Sequence, residues 1–167
     1  MGLNLAQIDG DDLYGYNKLG IQGGFKLDYP VMDKLDISLE MLYSEKGSND
    51  GFGFGSFRTN ATKLRYLDLP LSLSVKDWYV EDKDYHKVSA HAGLNFGYLF
   101  SVESINGSFA DNIDNYNQVD ISYFFGVNYR FNRRIGLTIR HTRAFTSLLP
   151  DSVSISYFVT TRVEYYF

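Results

Sequence analysis

The sequence has no cysteine, which excludes disulfides and thiolate metal sites. It has only three prolines and one tryptophan in 167 residues. No apolar run approaches the roughly 20 residues that a membrane-spanning helix needs, and the mean hydropathy is −0.23. That value does not exclude a membrane barrel, whose strands alternate and so average to an unremarkable figure. A net charge of −4 is too mild to point to nucleic acid as a partner. The opening MGLNLAQIDG has no basic segment followed by an apolar core, so no export signal is visible. Either the protein stays in the cytoplasm or this chain is a mature form. No long helical periodicity and no linker interrupts the chain, so residues 1–167 read as a single domain.

Aromatic residues are abundant, 17% of the chain, with 14 Tyr and 13 Phe, and there are 15 Gly. That composition favours strands. The C-terminus, VTTRVEYYF, shows the pattern most clearly. Phe167, Tyr165, Val163, Thr161, Val159 and Tyr157 form one set, and Tyr166, Glu164, Arg162, Thr160, Phe158 and Ser156 the other. The first set is largely apolar and the second holds the charges, which is the period-two signature of a two-faced strand. The same alternation recurs in LGIQGGFKLDY, LDISLEMLYS, YLDLPLSLSV, VSAHAGLNFGYLF, VDISYFFGVNYRF and IGLTIRHTRAF. With the shorter GLNLAQI at the start, about eight strands result, most near the 9–11 residues that cross a bilayer.

The connections alternate in length, as in membrane barrels. PVMDK and NRR are tight, whereas DGDDLYGYN, GSNDGFGFGSFRTNAT and SVESINGSFADNIDNYNQ are long and polar; SLLPDS, on the long side, is shorter. KDWYVEDKDYHK is a long exception on the short side and places His86 in a turn. Two all-β readings survive: a soluble lipocalin-like calyx with its apolar face inside, and a membrane barrel with its apolar face outside. Side-chain size favours the second. An eight-stranded barrel has just enough interior for side chains to fill. Gly20, Gly24, Gly93, Gly97, Gly126 and Gly136 on the polar face suit such a lumen, while the bulky rings of the other face would overfill it. The expected fold is an all-β, eight-stranded antiparallel up-and-down transmembrane β-barrel. Tyr29, Tyr129, Phe131, Tyr165 and Phe167 would then form a girdle on the short-turn side, and Tyr43, Tyr98 and Phe100 one on the long-loop side.

Several segments, in order, resemble the PorT-like outer membrane protein β-barrel family of Bacteroidota. They are GLNLAQIDG, LEMLYSEKGS, LRYLDLPLSLSV with Asp68 and Pro70 in an acid-x-Pro pattern, GLNFGYLFS, FGVNYRF and the terminal aromatic. The resemblance implies a cell outer membrane location in a Gram-negative bacterium, after removal of a signal peptide that this chain does not contain. It also implies that Val163, Tyr165 and Phe167 form a C-terminal signal read by outer-membrane insertion machinery. It does not fix one function, because such barrels include secretion accessories and adhesins.

The inward face is expected to hold a polar network of Lys26, Asp28, Asp36, Glu40, Asp68, His91, Asp120, Arg130, Arg140, Arg162 and Glu164. Charges withdrawn from water must be paired, so these read as a lumen filled by ion pairs rather than as an ion path. Lys63, Arg65, His141 and Arg143 are expected as a basic belt for lipopolysaccharide phosphates. Ser101, Asp120 and His141 could in principle serve a lipid A-modifying enzyme, but no spacing specifies a triad. Asp9, Asp11 and Asp12 fail the calcium-loop pattern at Leu13, and GFGFGSF precedes no helix, so it reads as a loop able to dock a partner rather than as a nucleotide site. NAT and NGS match a eukaryotic glycosylation pattern that means little in a bacterial outer membrane. No cofactor is expected. The reading is a non-enzymatic structural or accessory subunit, with other outer-membrane proteins as partners alongside outer-membrane lipids. An adhesin or ligand-binding barrel is the alternative, followed by the lipid A-modifying enzyme and the soluble calyx.

Overall fold

A computed structural model of the chain describes residues 1–9, 18–49, 61–105, 116–147 and 155–167. The alternating segments form eight strands: β1 (Gly2–Asp9), β2 (Lys18–Met32), β3 (Leu35–Asn49), β4 (Ala61–Val80), β5 (Tyr85–Ile105), β6 (Val119–Arg130), β7 (Ile135–Ala144) and β8 (Ile155–Tyr165). Each pairs antiparallel with its neighbours in sequence, and β8 returns to β1 to close the ring. Closure runs through Leu3 opposite Thr161 and Asn4 opposite Thr160. At its edge the Met1 amine donates to the Val163 carbonyl at 2.9 Å, and the Val163 N–H donates to the Met1 carbonyl at 2.9 Å. The only helical segment among the described residues is a 3₁₀ turn, Glu81–Lys83.

Period-two alternation sorts the side chains as the sequence implies. Phe25, Leu27, Tyr29, Leu71, Leu94, Val127, Ile139 and Val163 face outward and are exposed. Ser38, Glu40, Asp68, Asn128, Thr138 and Thr160 face inward and are buried. Apolar-out overturns the soluble calyx, which needs the reverse. A continuous apolar exterior of this extent is stable only against a nonpolar solvent. The two girdles form as well, with Tyr129 and Phe131 edge-to-face at 5.3 Å, Tyr165 and Phe167 at 5.2 Å, and Tyr43 and Phe100 at 6.1 Å.

Several inward glycines permit the tight curl that closes the ring. A Cβ at Gly24 would run into the Met41 carbonyl of β3, and one at Gly93 into the Leu71 carbonyl of β4. The neighbouring backbone thus takes the space that a side chain would need.

Three expectations about connections and strand lengths change. PVMDK is not all turn: Pro30, Val31 and Met32 belong to β2, with a register shift between Pro30 and Met32, and only Asp33 and Lys34 turn. Proline has no N–H for the ladder, which accounts for the irregularity there. β2 to β5 also exceed the bilayer length, with 20 residues in β4 and 21 in β5, whereas β7 and β8 keep to it with 10 and 11. KDWYVEDKDYHK is mostly strand rather than a long turn. Lys76 pairs with Ser89, Asp77 with Val88 and Tyr79 with His86, so β4 and β5 project as a ribbon beyond the barrel on the short-turn side. His86 therefore lies on β5, its ring 5.0 Å from that of Tyr79. The β-prone residues Trp78, Tyr79 and Val80 on one arm and Tyr85 on the other extend the hairpin. Asp84, in the left-handed region at φ 49°, ends it by donating its N–H to Glu81.

The orientation of the faces is directly testable. Val127→Arg is expected to lower stability by about 2–4 kcal/mol in a urea titration in lipid vesicles, the cost of a cation on the lipid face near the midplane. Spin labels should be mobile at 127 and immobilised at 128. The reverse pattern would overturn the assignment.

Candidate functional site

The lumen brings together residues from every part of the chain. Glu40 on β3 stands opposite β7 in the ring and lies between two guanidinium groups. Arg140 Nη2 donates to Glu40 Oε1 at 2.6 Å and Arg162 Nη1 to Glu40 Oε2 at 2.8 Å, with longer second bonds of 3.3 and 3.2 Å. Glu40 is 1% exposed, so both carboxylate oxygens are accounted for inside the protein. Arg162 reaches on to Glu164 through Nη2 at 2.6 Å and Nε at 2.9 Å. Thr138 and Tyr166 also donate to Glu164, each at 2.8 Å. Arg140 stacks on Phe124 at 4.1 Å, and its Nε lies 3.4 Å from Nε2 of His91.

Nearer the long-loop end a second centre forms. Lys46 lies 3.1 Å from Asp68 and 3.5 Å from Asp120. Its amine also faces the rings of Tyr66 at 4.2 Å and Phe158 at 4.9 Å. Asn95 donates to Asp68 at 3.0 Å and Thr146 to Asp120 at 2.9 Å. Beside it Leu64, Tyr66, Leu99 and Tyr116 make a buried apolar cluster, against which Val102 packs.

At the short-turn end Lys26 pairs with Asp28 at 3.1 Å, Lys76 with Asp36 at 2.7 Å, and Arg130 stacks on Tyr166 at 3.7 Å. They surround a cavity of about 20 Å³, the size of a single water site. His86, on the projecting ribbon, also lines this cavity, where partial burial and then the nearby Lys76 and Lys34 hold its imidazole below its usual pKa.

Every residue expected in the lumen network therefore faces inward. Two members were missed. Lys46 lies one alternation beyond LDISLEMLYS, and Lys76 was assigned to a turn; continuing the period past Ser44 would have found the first. With them the described inward charges are six cations (Lys26, Lys46, Lys76, Arg130, Arg140, Arg162) and six carboxylates (Asp28, Asp36, Glu40, Asp68, Asp120, Glu164). That balance is what a low-dielectric interior requires.

The expected basic belt divides instead. Lys63 and Arg65 lie together on β4, where Glu45 meets Lys63 at 2.8 Å and Glu103 meets Arg65 at 2.6 Å. His141 and Arg143 lie on β7, three strands further round. Nor do Ser101, Asp120 and His141 converge. Asp120 faces the lumen, Ser101 accepts from Arg65 on the exterior, and the His141 ring lies 5.3 Å from that of Phe125. Asp9 is the last residue of β1, and Ala61 and Thr62 of NAT open β4, whereas Asp11, Asp12, GFGFGSF, NGS, Asn60 and all of SLLPDS after Ser147 lie outside the described residues.

An eight-stranded closed barrel with an apolar exterior and a polar, charge-balanced interior is the architecture of an integral outer-membrane protein. Residues 1–149 match the outer membrane protein beta-barrel domain family, and the chain belongs to that family, whose place is the outer membrane. The match spans β1 to β7; β8 completes the ring. Curated proteins offered no match.

Glu40→Gln should reveal how much the central clamp contributes. It leaves two buried guanidinium groups sharing a neutral partner, and breaking a buried pair this way costs about 3–5 kcal/mol. The urea midpoint in detergent should fall accordingly. Adding Arg140→Met should recover part of the loss. An unchanged midpoint for Glu40→Gln would mean that the clamp adds nothing to stability.

Proposed function

We propose that this chain is a non-enzymatic, non-conducting barrel of the PorT-like kind, acting as a structural or accessory subunit of an outer-membrane complex. The observation that supports it best is the cross-lumen arrangement. Glu40 bridges β3 to β7 and β8, Lys46 joins β3 to β4 and β6, and a packed apolar cluster lies beside them. An ion or solute crossing the barrel would have to displace paired charges and packed rings, and eight strands leave little other room. The dispersal of Ser101, Asp120 and His141 over two faces argues against a hydrolytic triad among them. Loops and exterior then remain as the surfaces for partners.

Planar-bilayer recording tests the closed lumen. Purified monomer should give no steady conductance steps, and large regular steps would overturn the reading. Purification in mild detergent tests the accessory role. Another outer-membrane protein should accompany the barrel in fixed stoichiometry, and a lone monomer would sink the proposal.

The C-terminal residues Val163, Tyr165 and Phe167 face outward, and the Phe167 side chain is wholly exposed. Removing Phe167 forfeits at most roughly 1.5–3 kcal/mol of burial and leaves the strand pairings of β8 with β1 and β7 in place. If insertion machinery reads this end, the deletion should sharply reduce the outer-membrane level in cells while only slightly lowering the refolded protein's urea midpoint. Phe167→Tyr should behave like the parent. Equal losses in both assays would make Phe167 a packing residue only.

A further inference from the structure

The barrel exterior is not uniform. Across β4 to β8 runs a groove of about 750 Å³. Its floor is Ala90 and Ala92, small residues on an outward face of β5 that is elsewhere Leu94, Phe96, Tyr98 and Phe100. Leu73 and Val75 wall one side, and Phe125, Val127 and Ile139 the other.

Strand register gives the groove a direction. Leu35 pairs with Val75, Val75 with Ala90, Ala90 with Val127, and Val127 with Ile139. This row begins at the first residue of β3, beside the two-residue turn, and reaches Ile139 well inside β7. Rows climb across the ring because barrel strands tilt. The groove therefore rises from the short-turn side at β4 and β5 toward the long-loop side at β7. Its upper end is closed by His141, whose ring packs on Phe125, and Val159.

Arg143, the next outward residue on β7, is exposed above that end. No carboxylate among the described residues pairs with it. Lys63 and Arg65, at a similar level on β4, are already engaged by Glu45 and Glu103. Among the described residues at this level, Arg143 is the cation that meets no carboxylate and has an apolar channel below it. That combination suits an amphiphile with hydrocarbon beneath and a phosphate above. Because long loops of such barrels face outward, the leaflet at this end is the outer one.

We propose that the groove is a binding site for one acylated, phosphorylated glucosamine lipid of the outer leaflet. An acyl chain lies over Ala90 and Ala92, and a phosphate meets Arg143 with His141 beside it. The site goes beyond the accessory role and does not depend on whether the lumen conducts.

Native mass spectrometry of the folded barrel, titrated in detergent with bis-phosphorylated lipid A, tests this. The same lipid stripped of phosphate and phosphatidylglycerol form the other arms. One lipid A should bind saturably, and both comparison lipids should bind more weakly. Arg143→Gln, an exposed change that leaves the fold intact, should weaken binding roughly tenfold, as expected from losing one charge-assisted contact. Ala92→Trp, which fills the groove, should weaken it as well, with Ala90→Leu as the gentler variant. Lys63→Gln should change nothing. Equal binding to parent and Arg143→Gln, or to lipid with and without phosphate, would overturn the phosphate contact. Equal binding of phosphatidylglycerol would overturn the glucosamine lipid, and binding untouched by both groove variants would overturn the site.

Discussion

Inside a bilayer a backbone amide has no water to turn to, and each unsatisfied N–H or C=O costs several kcal/mol. Much of this molecule follows from that constraint. Each strand must find a partner on both sides, and the series can end only where the last strand meets the first. The contact between β8 and β1 is therefore what makes the other seven pairings tenable in lipid. The mutual hydrogen bonds between Met1 and Val163 carry the seam to its short-turn edge. Closure over only eight strands then sets a narrow interior. Glycines such as Gly24 and Gly93 stand where neighbouring backbone comes too close for a side chain.

The narrow interior dictates its own chemistry. Charges there have little water, so each needs a partner of opposite sign or an aromatic face. Glu40 resolves this by sharing its two oxygens between Arg140 and Arg162, which places one carboxylate at the meeting point of three strands. Lys46 does the converse, one cation between Asp68 and Asp120 with two rings completing its surroundings. Such arrangements are weak evidence for net stability, since well-packed apolar groups often do as well. They do make any single loss severe.

The exterior obeys a different rule. Apolar residues there need only face lipid, so departures from uniformity stand out. Arg65 on β4 meets Glu45 and Glu103, whereas Arg143 on β7 meets no carboxylate among the described residues, so one residue type behaves differently through its neighbours alone. The ribbon formed by β4 and β5 carries Trp78 and Tyr79 beyond the barrel on the short-turn side, with the Lys87 amine 4.7 Å from the Trp78 ring. Aromatic and basic residues at that level are typical of the membrane interface.

The sequence by itself settled the secondary structure class, the number of strands and the sorting of faces. Period-two alternation is local, and a residue's parity along a strand needs no knowledge of the rest of the chain. The size difference between Gly, Ser and Asp on one face and Phe, Tyr and Leu on the other then decided inside from outside. Which charge meets which was not legible. Glu40 lies 100 residues from Arg140 and 122 from Arg162, and their meeting depends on strand number and stagger around the ring. For the same reason the four basic residues grouped by type alone fell on two sides of the barrel. The projecting ribbon was hidden because Trp78, Tyr79 and Val80 are consecutive and EDKD follows them, so the period-two pattern that marks a strand is lost there. Local pattern fixes what a residue faces; only the closed ring fixes what it touches.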